Sequence, residues 1–235
     1  MTSLSGNDLN SIGGTMTLTS LTFLSTLSFP SLTSVKSIQW AHLTALQELT
    51  FTQGISTADD ILITDTQLNS LNGINLQTVQ SMDINNNLYL QVISTQLANI
   101  TQSLTIDANG QNLKVEFPNL VFAYNMTLRN ISSISIPSLA SVNTTLGFYG
   151  DYMTSVMAPN LTSVGGDLAF IANAELTNIS MPALTTVGGG VTIANNSALM
   201  TIDGFPSLKT TGAINMSGNF SRYATNGFFS CQTPC

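Results

Sequence analysis

Apolar and polar residues alternate in short bursts along this chain, and the bursts return at a near-constant interval. The clearest is Met82-Asp83-Ile84-Asn85-Asn86-Asn87: apolar, polar, apolar, then an asparagine three residues after the second apolar position. The apolar pairs are Met16/Leu18, Ile38/Trp40, Ile61/Ile63, Met82/Ile84, Leu104/Ile106, Met126/Leu128, Leu146/Phe148, Leu168/Phe170, Val191/Ile193 and Ile214/Met216, ten copies separated by 20 to 23 residues. Alternation with period two is the mark of a strand with one buried face. A strand this short cannot bury that face alone, so successive copies must stack on one another.

Each copy carries two further apolar segments. One is Leu176-Thr177-Asn178-Ile179 or Leu199-Met200-Thr201-Ile202. The other is Pro159-Asn160-Leu161-Thr162-Ser163-Val164, with echoes beginning at Pro30, Pro137 and Pro182. Proline has no N–H to give to a strand ladder, so a proline at a fixed place in the repeat marks a corner. Three inward segments joined by corners make one coil, and about 22 residues leave no room for a helix of ordinary length. The pattern predicts an all-β fold, a right-handed parallel β-helix (solenoid) of about ten coils. Residues 1–220 read as a single domain and residues 221–235 as a non-repeat tail.

Asn87, Asn109, Asn173, Asn196 and Asn219 all fall three residues after the second apolar position. A side-chain amide there can satisfy backbone groups that a corner leaves unpaired, coil after coil. The region from Trp40 to Asp60 is the least regular. It lacks a clean corner proline, and residues 54–60 read as a protruding loop that could carry a partner-binding feature. Between the apolar pairs runs an outward row that is small and mostly polar: Thr17, Gln39, Leu62, Asp83, Thr105, Thr127, Gly147, Ala169, Thr192 and Asn215. The next outward row places Asn85, Asp107, Arg129 and Tyr149 on successive coils. Stacking about 4.8 Å apart would pair Asp107 with Arg129 and set Arg129 against the Tyr149 ring.

Composition narrows the function. There are 5 basic and 12 acidic residues, a formal charge of −7. The basic residues Lys36, Lys114, Arg129, Lys209 and Arg222 are scattered, which argues against a nucleic-acid partner. With so few charges, solubility must come from hydroxyls, amides or attached sugar. Asn-X-Ser/Thr sequons occur at Asn99, Asn125, Asn130, Asn143, Asn160, Asn178, Asn195 and Asn215. A ninth, at Asn219, coincides with the corner asparagine and is set aside. Cys231 and Cys235 are spaced to close a small loop by a disulfide. One histidine, His42, and one CxxxC supply too few ligands for a metal site, and no cofactor motif is present. No apolar run is long enough to span a bilayer, and neither a leader peptide nor an anchor tail is legible, so the chain reads as an incomplete product.

Several stretches together carry a family resemblance: Asn72-Gly73-Ile74-Asn75-Leu76, Met82-Asp83-Ile84-Asn85-Asn86-Asn87, Ala158-Pro159-Asn160-Leu161-Thr162-Ser163-Val164-Gly165-Gly166-Asp167-Leu168, Ala194-Asn195-Asn196, and Ile202-Asp203-Gly204-Phe205-Pro206-Ser207-Leu208. Over roughly residues 9–221 the sequence resembles the fungal GPI-anchored cell-wall organisation proteins, a receptor-L-domain-like and leucine-rich-repeat-like group. The resemblance implies a secreted, glycosylated wall or outer plasma-membrane protein needed for wall integrity and without catalytic activity. Wall polysaccharide and other wall proteins are the partners it implies.

Two further readings stand beside a structural wall glycoprotein. One is a module binding polysaccharide or a secreted ligand through the polar sheet face; glycans at Asn125 and Asn215 would cover that face. The other is a β-helix glycan hydrolase. Asp60, Asp83 and Asp107 step diagonally across successive coils at roughly 8 Å, within the separation that inverting glycosidases use.

Overall fold

The computed structural model describes residues 1–218, 220, 222 and 223. It is an all-β, parallel solenoid of about ten turns, with no helix among the described residues. The ten apolar pairs stack in register from end to end. Ile38 lies against Ile61, Met82 against Leu104, Leu146 against Leu168, and Val191 against Ile214. Two columns of buried side chains result, and Trp40, Ile63, Ile84, Ile106, Leu128, Phe148, Phe170 and Ile193 form the second.

The second segment of each coil builds short parallel sheets of its own. Ser3–Ser5, Thr26–Ser28 and Glu48–Thr50 form one, and Val92–Ser94, Lys114–Glu116 and Ser133–Ser135 another. Ser155–Met157 pairs with Asn178–Ser180, and Thr201–Ile202 with Arg222–Tyr223. The third segment runs directly into the first segment of the next coil. In Ser11–Thr19, Thr78–Asn85 and Thr186–Ala194 one bent strand serves both, and its pairing register shifts at the bend.

Where the bend passes through Gly165 and Gly188, a Cβ would run into the backbone carbonyl of the coil below, at Asn143 and Gly165 respectively. The glycines are therefore dictated by coil spacing. Aromatic stacking fills the wider parts of the interior. Trp40 lies on Phe51 (centroids 6.1 Å apart), Phe51 on Phe29 (6.3 Å), and Phe148 on Phe170 (5.2 Å).

Residues 54–60 are not a protruding loop. Gly54 and Ile55 are buried, and the segment is laced to the coil before it. Ser56 N–H donates to the Thr33 carbonyl at 2.9 Å and Asp59 N–H to Lys36 at 2.8 Å. Gly54, at φ +81°, turns the corner that proline or its neighbours turn elsewhere, and Ile55 then occupies the interior at 0% exposure. A left-handed glycine and a proline are alternative ways to make one bend.

Candidate functional site

The outward rows of the main sheet stack as the apolar ones do. Thr17, Gln39, Leu62, Asp83, Thr105, Thr127, Gly147, Ala169, Thr192 and Asn215 are consecutive register partners. The row beside it brings charge and an aromatic ring together. Arg129 Nε lies 3.9 Å from Asp107 Oδ2, and the guanidinium sits 4.5 Å from the Tyr149 ring centroid. With Asn130 and Ile171 they line a shallow hollow of about 410 Å³. Both members of the ion pair are well exposed, so the pair contributes under about 1 kcal/mol.

The diagonal of acids is present, each one coil up and two residues along from the last. Asp60 lies opposite Ser81, Asp83 opposite Leu62 and Thr105, and Asp107 opposite Asn85. Asp83 Oδ1 accepts a hydrogen bond from Asn85 Nδ2 at 2.8 Å, while Asp107 faces Arg129. Asp60 and Asp83 do not line the hollow that Asp107 lines. His42 pairs with Asp65 at 2.5 Å on an exposed corner. Among the described residues, no three His, Cys, Asp or Glu side chains converge as a metal site would require, and no helix is long and apolar enough to cross a membrane.

Inside the corner runs a ladder of amides. Asn87, Asn109, Asn173 and Asn196 are all buried. Each does two things for the coil before it. Its Oδ1 accepts from the backbone N–H of the preceding ladder residue, as Asn109 does from Asn87 (3.0 Å), Asn173 from Asp151 (2.8 Å) and Asn196 from Asn173 (2.9 Å). Its Nδ2 donates to the carbonyl of the preceding coil's second apolar residue: Ile63 from Asn87, Ile84 from Asn109, Phe148 from Asn173 and Phe170 from Asn196, at 2.8 to 3.1 Å. Thr66 begins the ladder by donating its N–H and its hydroxyl to Asn87 Oδ1. Asn219, Cys231 and Cys235 lie outside the described residues.

Two features escaped a reading by residue type. Ladder position 131 is an isoleucine, and position 151 is an aspartate, buried at 2% exposure. Counting three residues on from Leu128 and Phe148 finds both; searching for asparagine finds neither. The residue just before each ladder position is left-handed. Ser20, His42, Asp65, Asn86, Ala108, Asn130, Gly150, Ala172 and Asn195 all have φ between 52° and 64°. The corner is thus one left-handed residue followed by one inward side chain, and asparagine tolerates that conformation best after glycine.

The sequon asparagines are spread over the corners and sheet faces. Asn99, Asn143, Asn160, Asn178, Asn195 and Asn215 are exposed, whereas Asn125 and Asn130 are half-buried. Asn215 stands on the central outward row opposite Thr192.

The fold and its faces define a class: a parallel β-solenoid closed by an inward amide ladder, with outward rows of mostly small side chains. Sequence comparison places it more narrowly. The chain is 49% identical over 178 residues to protein ecm33 of Aspergillus fumigatus, a match covering 75% of this chain and 44% of that protein. It is 47% identical over 175 residues to a cell surface GPI-anchored protein of Arthroderma benhamiae (74% and 45% covered). It is 36% identical over 177 residues to cell wall protein ecm33 of Schizosaccharomyces pombe (75% and 42% covered). The chain belongs to this family of fungal cell-surface and cell-wall proteins, and it spans less than half the length of these relatives. No family model and no solved structure matches it.

Proposed function

We propose that this chain is the solenoid portion of a non-enzymatic glycoprotein of the fungal cell surface, held in the wall or at the outer face of the plasma membrane, where it contributes to wall organisation and integrity. The names of its relatives, which are wall and surface proteins, support this reading. The observation that carries it is the regularity of the outward face. Ten stacked coils set mostly small side chains along the central row, and Asp60 and Asp83 do not line the hollow where Asp107 faces Arg129. A polysaccharide-cleaving solenoid needs carboxyl groups converging in a cleft with water between them. A binding role is favoured at one place, the hollow beside Asp107, Arg129 and Tyr149.

The test is release of new reducing ends from purified fungal wall glucan and chitin by the secreted, glycosylated protein. No release is expected, and Asp83→Asn should change nothing. Release that Asp83→Asn abolishes would overturn the proposal. Retention on the same insoluble polysaccharide, weakened by Arg129→Ala, would add a binding role.

N-glycans supply the hydration that so few charges cannot. Occupancy is expected at the six exposed asparagines, with less at Asn125 and Asn130. Glycopeptide mapping checks this, and it fails if those two carry sugar while the exposed six are bare. Enzymatic removal of the sugar should lower solubility.

A further inference from the structure

Asp151 occupies the place of a ladder asparagine in every respect but one. Its Oδ1 accepts the Ile131 N–H at 2.9 Å, as each asparagine Oδ1 accepts the N–H below it. Its own N–H is received by Asn173 Oδ1 at 2.8 Å. The other terminal atom differs. In all four asparagines Nδ2 donates to the carbonyl of the second apolar residue in the coil below. For position 151 that carbonyl belongs to Leu128, because Leu128 and Phe148 are register partners. An ionised Oδ2 cannot donate, and Oδ2 is a buried atom without a hydrogen-bond partner. A carboxylate there would set a charged acceptor where the ladder supplies a donor to a carbonyl, an arrangement that burial makes costly.

We propose that Asp151 is a proton-held rung of the ladder: its neutral carboxyl donates Oδ2–H to the Leu128 carbonyl, and the joint between these two coils loosens when that proton leaves.

The electrostatics agree. Burial pushes the Asp151 carboxyl up from 3.8 to about 7; the hydrogen bond from Ile131, the neighbouring Tyr149 backbone and the charge of Arg129 act against the rise, and Asp107 adds to it. Arg129 and Asp107 are the charged groups that act on it, both on the exposed outward row. Asn173, packed from the coil above, is neutral. The joint below already lacks a rung, since Ile131 brings no amide to the coil before it.

The sign follows from linkage. The folded value lies above the unfolded one, so the stabilising contribution is complete below about 3.8 and is lost as pH rises through about 7. Within that window the folding equilibrium constant should fall by up to about tenfold per pH unit from this group alone. The rung is therefore tightest in acid.

Asp151→Asn restores the ladder's own residue and removes the proton requirement. Equilibrium unfolding of the secreted protein and of Asp151→Asn is compared near pH 4.5 and pH 8.5, roughly the two sides of the titration. The folding constant of the variant, relative to the natural protein, should rise at least about tenfold from the lower pH to the higher. A ratio that stays constant or falls overturns the proposal. Infrared spectroscopy of the natural protein gives an answer independent of the variant's stability. A protonated-carboxyl carbonyl band should persist near pH 6, where ordinary aspartates are ionised, and should be missing from Asp151→Asn. Its absence from the natural protein overturns the proposal as well.

Discussion

Replacing Phe148 with alanine is expected to destabilise the protein by about 3–5 kcal/mol, read as a lowered denaturant midpoint. Phe148 is fully buried, with Leu128 and Phe170 as register partners on the adjacent coils and its ring stacked on Phe170 at 5.2 Å. In many cores a truncated site shrinks as neighbours move in. Here the coils on either side are fixed near the strand spacing by their own main-chain hydrogen bonds, so the hole persists. A solenoid adds a second cost, because each coil contacts only its neighbours and one defect weakens two interfaces. The matched control is Phe23→Ala, whose side chain is 74% exposed; a change within about 0.5 kcal/mol is expected there. A loss below about 1 kcal/mol at Phe148 would mean that the coils do close over the gap.

The contrast between these two phenylalanines shows what the sequence could and could not display. Phe148 is legible as core because it pairs with Leu146 at period two, and the same count aligns all ten coils. Phe23 also follows an apolar residue by two, Leu21, but that pair is not one of the ten that the repeat interval aligns. Residues 54–60 misled because the expected corner carries Gly54 instead of proline, and a glycine followed by polar residues looks like a loop until its hydrogen bonds to Thr33 and Lys36 are seen. The left-handed corner was invisible for a different reason. Serine, histidine, aspartate, asparagine and alanine all occupy it, so the shared property is a backbone angle, which composition does not record. The ladder lay between these extremes. Spacing located its asparagines, but what each amide bonds depends on how the coils stack, and that is why an aspartate at position 151 is an anomaly.

That division of labour between the two ends of one amide can be dissected at Asn173, which sits next to the anomalous rung. Asn173→Ala removes the acceptor for the Asp151 N–H and the donor to the Phe148 carbonyl, both buried. An unsatisfied buried backbone group costs about 1–3 kcal/mol, so a total loss of roughly 2–5 kcal/mol is expected. Asn173→Asp separates the two ends. It keeps Oδ1 for the Asp151 N–H and gives up the donor to Phe148, recreating at position 173 the chemistry of position 151. Its stability should approach that of the natural protein in acid and fall away as pH rises, because the introduced carboxyl, while protonated, can donate where the amide did. Asn173→Ala should show no such added pH dependence. Hydrogen exchange locates the effect: the Asp151 amide should lose protection in the alanine variant at all pH values, and in the aspartate variant less so at low pH. If Asn173→Asp matches the natural protein at every pH while Asn173→Ala does not, the donor end of the ladder contributes nothing, and the amides serve only to cap the N–H groups below them.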